Sequence, residues 1–273
     1  MSHPRRRCDS TKIFLAQLEI VPAKKENLTR VLSTIEKAGQ ADLIVFPEYC
    51  MGFPNEGLSR KYLEDVAEPL TGEFVTEIAR ASKPLEVYVV IPIFEKNNGS
   101  IYNTAVVLNH GKVLGGYRKI HLFDALGYRE SDMFTPGSTP ITFKAGEMTF
   151  GLTICYDLRF PELSRAEVAS GAQAVIVPAG WYAGPLKEEQ WQSLLMARAQ
   201  ENTSYMIGVG NANRTFIGRS VVIDPLGVKI MDLGSGDRTG ICEVEETRVK
   251  KARQVLPVLK QARSTVYGPC LHL

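Results

Sequence analysis

Three residues far apart in the chain could together break a carbon–nitrogen bond. Cys155 ends the apolar run Gly151-Leu152-Thr153-Ile154, Glu48 follows Leu43-Ile44-Val45-Phe46 and Pro47, and Lys119 closes an extended stretch that begins near Tyr102. Cysteine attack on an amide carbon needs a thiolate or a base able to make one, a cation or N–H groups for the oxyanion, and a proton donor for departing ammonia. A thiol, a carboxylate and an ammonium supply each part. Singly, each has a plainer explanation: a buried structural thiol, a turn carboxylate and a surface cation. The setting of Glu48 argues against the plain reading, because a charge placed directly after a buried apolar run is costly unless it is paired or used.

The elements around these residues decide whether they meet. Ile13 to Ile20 alternates well enough for a strand, and Leu28, Val31, Leu32 and Ile35 recur at helical spacing. Residues 41–46 form a short β-branched run, expected to be a strand buried on both faces. A helix is predicted over 73–83 and a strand over 87–91, then a hairpin from Tyr102 to Lys119 around Asn109-His110-Gly111-Lys112. Residues 120–140, with Gly127, Pro136, Gly137 and Pro140, read as a long loop that contains Glu130. A second hairpin turns at Lys144 to Glu147 and its second strand runs into Cys155. Pro161 suits the first turn of a helix ending near Gly171, followed by a buried strand over 174–178, a helix over 187–201 and four short strands from Ser204 onward. Strands outnumber helices, and hairpins occur beside crossovers. The fold class is therefore α/β, expected as a four-layer α-β-β-α sandwich with two mixed sheets, although a single doubly wound sheet would also fit. If the strands that end at Glu48, Lys119 and Cys155 are neighbours of one polarity, the three side chains share a rim.

The same residues lie in motifs that resemble the nitrilase superfamily of carbon–nitrogen hydrolases: Phe-Pro-Glu at 46–48, Tyr-Arg-Lys-Ile-His-Leu-Phe at 117–123 and Cys-Tyr-Asp-Leu-Arg-Phe-Pro-Glu-Leu at 155–163. The likeness extends from Ile13 to about Leu259. It implies Glu48 as general base, Lys119 as oxyanion stabiliser, Cys155 as nucleophile and Glu130 as a supporting acid, with no metal and no organic cofactor. Cys155-Tyr156-Asp157 favours an amide over a nitrile substrate. Within the amidase branches the motif, with Pro178 to Trp181 and Gly184 to Glu188, resembles those acting on deaminated glutathione, with those acting on 2-oxoglutaramate as the alternative. Tyr49-Cys50 and Gly180 depart from the pattern of some relatives. The Tyr156 backbone N–H would join Lys119 at the oxyanion. Arg159 is the expected clamp for a substrate carboxylate, and His121 and Trp181 are expected to line the pocket.

Composition narrows the other classes. Lys and Arg number 32 against 30 Asp and Glu, a formal net charge of +2, so no whole-surface field gathers nucleic acid or acidic lipid. A small-molecule amide is the expected partner. The cysteines at 8, 50, 155, 242 and 270 are odd in number and unpaired in spacing, which reads as reduced thiols in a cytoplasmic protein. No run approaches the roughly 20 apolar residues that span a bilayer. Residues 1–10, with Arg5-Arg6-Arg7, are expected to be a flexible tail and residues 11–273 a single domain. The histidines at 3, 110, 121 and 272 form no ligand-spaced pair, and the glycines at 234, 236 and 240 sit between strands rather than at a strand–helix turn. A papain-like pairing of Cys155 with His121 and a catalytically silent binding relative are the competing readings. The resemblance also implies a homo-oligomer, a dimer or larger.

Overall fold

A computed structural model describes residues 10–267. Two six-stranded mixed sheets pack face to face between helices. The strands are β1 (Ser10–Gln17), β2 (Leu43–Val45), β3 (Tyr88–Asn97), β4 (Ser100–Asn109), β5 (Lys112–Arg118), β6 (Asp124–Ala125), β7 (Tyr128–Arg129), β8 (Thr142–Ala145), β9 (Met148–Leu152), β10 (Ala174–Ala179), β11 (Tyr205–Gly210), β12 (Val221–Ile223), β13 (Lys229–Asp232) and β14 (Arg238–Glu245). The larger helices are α1 (Lys24–Lys37), α2 (Arg60–Val66), α3 (Glu73–Ser82), α4 (Pro161–Ala169), α5 (Lys187–Asn202) and α6 (Glu246–Val255).

The first sheet runs β14-β1-β2-β3-β4-β5 and the second β13-β12-β11-β10-β9-β8. Each has a parallel core, β1 to β3 in one and β9 to β11 in the other, extended by antiparallel strands on both sides. Parallel cores are covered on both faces, which is why Leu43-Ile44-Val45 and the residues of β10 are apolar without alternation. The period of two in β1 sorts its side chains. Ile13 and Leu15 join the core between the sheets, while Phe14 and Ala16 pack with Val31 and Ile35 of α1 and Phe74 and Ile78 of α3. Trp191 and Leu195 of α5 cover the far face of the second sheet, completing the four layers.

Several details differ from the sequence reading. The expected tail, residues 1–10, lies outside the described residues except for Ser10, which pairs with Glu245 as the first residue of β1. β3 continues past Ile91 through Pro92 and turns at Asn98 and Gly99, both at positive φ, into β4. Proline is tolerated there for a local reason. Tyr88 N–H points at Asp42, so two and four residues on the backbone nitrogens face the same side, and β2 has ended before it reaches Pro92. The short helix α2 was not expected; Ser59 caps it by accepting from Tyr62 N–H at 3.2 Å. The loop over 120–140 contains the small β6–β7 hairpin. Among the described residues no helix is long and apolar enough to cross a membrane.

Candidate active site

Glu48 follows the end of β2, Cys155 the end of β9 and Lys119 the end of β5. β5 runs parallel to β2 because β4 reverses the chain between them, so polarity matches the expectation, but the two strands are not neighbours. Asn103 of β4 bridges the gap. Its side-chain N–H donates to Glu48 Oε1 at 2.8 Å, and its carbonyl accepts from Lys119 N–H at 2.8 Å.

Four ionisable side chains converge in a nearly solvent-free space. Lys119 Nζ donates to Glu48 Oε1 at 3.1 Å and lies 2.8 Å from Glu130 Oε2, and all three residues are buried. The Gly180 N–H holds Glu48 Oε2 at 2.7 Å, and the Cys155 thiol is close enough for the Glu48 charge to act on it. Glu130, at the start of the turn after β7, also accepts from Phe123 N–H at 2.7 Å and from the Tyr49 hydroxyl at 3.0 Å. Burial pushes the Glu48 carboxyl up, opposed by Lys119 and reinforced by Glu130. Burial, followed by the Glu48 charge, holds the Cys155 thiol well above its usual range. For Lys119 burial works downward, yet Glu130 and Glu48 outweigh it and carry the ammonium well above its ordinary value. The resting thiol is therefore neutral and the ammonium charged, beside a carboxyl group that burial and the Lys119 charge pull in opposite directions.

Backbone geometry aims the sulfur. Cys155 has φ of 48° and opens a 3₁₀ turn over Cys155–Arg159. A non-glycine residue in that conformation stores about 1–3 kcal/mol of strain, so surrounding bonds must hold it. Asp157 does so from within the turn. It is fully buried and accepts from Ile154 N–H at 3.0 Å, Tyr117 OH at 2.7 Å and His121 N–H at 2.9 Å.

The remaining expected site residues divide. Tyr156, Arg159 and Trp181 line the pocket with Tyr49, Lys119, Cys155, Gly180 and Tyr182. Arg159 bonds to Gln190 Oε1 at 3.0 Å and sits 4.8 Å from the Trp181 ring. His121 is not among the lining residues. Its Nδ1 lies 2.8 Å from Asp157 Oδ1 and its ring stacks on Phe160 at 3.6 Å, so it braces the turn behind Cys155. The pocket has a cavity volume of about 30 Å³ and shares Phe123, Tyr182 and Lys187 with an outer cavity of about 440 Å³. Asn103, Asp157 and Lys187 were missed by sequence reasoning, and no local pattern marks the contacts they make.

A buried thiol, base and cation on the rim of an α-β-β-α sandwich are the equipment of a carbon–nitrogen hydrolase, and the chain belongs to the carbon–nitrogen hydrolase family, whose model matches residues 12–254. Among its relatives, the deaminated glutathione amidase of Escherichia coli O157:H7 is 34% identical over 256 residues, covering 92% of this chain and 97% of the relative. The omega-amidase NIT3 of Saccharomyces cerevisiae is 35% identical, covering 94% of each. The crystal structure of Saccharomyces cerevisiae Nit3, a member of branch 10 of the nitrilase superfamily, superposes with a TM-score of 0.80 at 28% identity, over 93% of this chain and 97% of that one.

Proposed function

We propose that the chain is a cysteine-dependent amidase that releases ammonia from a small carboxylate-bearing amide through a thioester, with deaminated glutathione as the substrate. The observation that carries this reading is Cys155 and Lys119 lining one pocket, with the buried Glu48 carboxylate bonded to the Lys119 ammonium and acting on the Cys155 thiol. Glu48 takes the thiol proton as sulfur adds to the amide carbon, while Lys119 and the Tyr156 N–H receive the oxyanion. Glu48 then returns the proton to the departing nitrogen, and ammonia leaves a thioester on Cys155. Water attacks that thioester, giving its proton to Glu48. Collapse expels the Cys155 thiolate, which recovers the proton from Glu48 as the acid departs. Glu130 keeps Lys119 charged and in place.

Two features support the substrate class. Among the described residues no carboxylate pairs with Arg159 or Lys187, so both cations are available to a substrate carboxylate. The tight inner pocket suits the amide head, and the outer cavity suits a longer acyl group than a 2-oxo-dicarboxylate monoamide carries. The scattered cysteines, of which 50, 155 and 242 are free, support a reducing, cytoplasmic setting, and assembly into a homodimer follows the family resemblance. Ammonia release from deaminated glutathione, 2-oxoglutaramate and glutamine tests the reading. The highest kcat/KM is expected with deaminated glutathione. A higher value with 2-oxoglutaramate makes the protein an omega-amidase instead, and no release from any amide, with no adduct on Cys155, favours a silent binding relative.

A further inference from the structure

Tyr49 stands directly after Glu48 with φ of 70°, a left-handed conformation that a side chain opposes. That turn directs the phenol back into the pocket beside Lys119 and Cys155. Its hydroxyl donates to Glu130 Oε1 at 3.0 Å, whereas Lys119 Nζ and Phe123 N–H both take Oε2, at 2.8 and 2.7 Å. Without the phenol, Glu130 is held through Oε2 alone, its carboxylate plane is no longer fixed, and its grip on the Lys119 ammonium loosens. Burial holds the Tyr49 hydroxyl well above its usual range, so it remains a donor.

The ring has no room to retreat. Phe53, Phe216 and Phe94 enclose it with centroids at 5.1, 5.9 and 6.2 Å. On its remaining side lies Gly180, whose N–H holds Glu48. A β-carbon at position 180 would come within 2.6 Å of Tyr49 Cε2 and 3.2 Å of Phe216 Cε1. Moving either partner of this contact therefore displaces the hydrogen bond that orients the base.

We propose that Tyr49 is a positioning residue with two linked roles: its hydroxyl fixes Glu130 and through it the Lys119 ammonium, and its ring fills the volume that a side chain at position 180 would need. The inference rests on the amidase reading above, and its test separates the two. Tyr49→Phe keeps the ring and removes the hydroxyl. Loss of one hydrogen bond to a charged group lowers kcat about tenfold, with KM unchanged and the thermal midpoint lowered only modestly. Cys155 alkylation by iodoacetamide, which needs no turnover, slows by a similar factor because the displaced ammonium stabilises the thiolate less. A Tyr49→Phe protein with wild-type kcat and wild-type alkylation overturns the hydroxyl's role.

For the ring, Gly180→Ala, Tyr49→Ala and the double variant form a cycle. The double variant is expected to be more active than the product of the two single effects, because removing the ring relieves the clash. An additive cycle overturns the linkage. If the wild type releases no ammonia from any amide, the amidase reading falls, and alkylation decides Tyr49 alone: slower in Tyr49→Phe upholds the hydroxyl's role, unchanged rejects it.

Discussion

At the scale of single residues, the proposed reaction requires a proton to move between two groups that burial has altered together. The Cys155 thiol is held protonated by burial and by the Glu48 charge, so attack requires Glu48 to be ionised. The Glu48 carboxyl is itself raised above its ordinary 4.5, by burial first and by Glu130. The sign follows directly: as pH falls, Glu48 takes up a solvent proton earlier than an exposed glutamate does, and it then has no lone pair for the thiol. The acid limb of kcat/KM should therefore have its midpoint above 4.5. A pH profile with full activity down to that value contradicts the assignment of Glu48 as base. Lys119, carried upward by Glu130 and Glu48 despite burial, contributes no limb in the same range.

At the scale of elements, the 3₁₀ turn over Cys155–Arg159 is held from three directions by one carboxylate. Asp157 ties the end of β9 through Ile154, the end of β5 through Tyr117, and the following loop through His121. These bonds keep Cys155 at positive φ and join the two sheets where the base and nucleophile meet. Removing Asp157 leaves buried donors unpaired at about 1–3 kcal/mol each. Asp157→Ala is expected to lower the urea midpoint and abolish the acylation burst. His121→Asn should keep the burst, because its ring braces the turn from outside the pocket and Glu48 is the base. A burst lost in His121→Asn and kept in Asp157→Ala reverses this account and revives imidazole as the base.

At the scale of the whole molecule, the sequence made the reactive set and the layers legible but not the polar contacts that join them. Glu48 and Cys155 stood out because each follows a short apolar run, where a carboxylate demands a partner, and Lys119 because it closes the second strand of a hairpin. The excess of strands over helices, with hairpins beside crossovers, pointed to a sandwich while leaving a single doubly wound sheet open. Gln17 was visible only as a polar residue in an apolar strand. The structure shows it fully buried at the end of β1, donating to Gly234 and Gly236 carbonyls and accepting from Ser220 N–H, so it ties the first sheet to the edge of the second. Asn103 and Asp157 are of the same kind: their partners lie far along the chain, and no local pattern encodes a bond across 55 or 36 residues. His121 was expected at the pocket wall, and the structure turns its ring toward Asp157 and Phe160 instead, a direction that sequence position does not encode.

The proposed chemistry requires folding to bring a base to one particular sulfur. Intact-mass and peptide mass spectrometry after rapid quenching with an amide substrate tests it most directly, comparing the wild type with Glu48→Gln and Cys155→Ala. An acyl adduct on Cys155 in the wild type, strongly diminished in Glu48→Gln and absent in Cys155→Ala, is the predicted result. Ammonia release that persists in Cys155→Ala, or an adduct that forms as fast in Glu48→Gln as in the wild type, would contradict it.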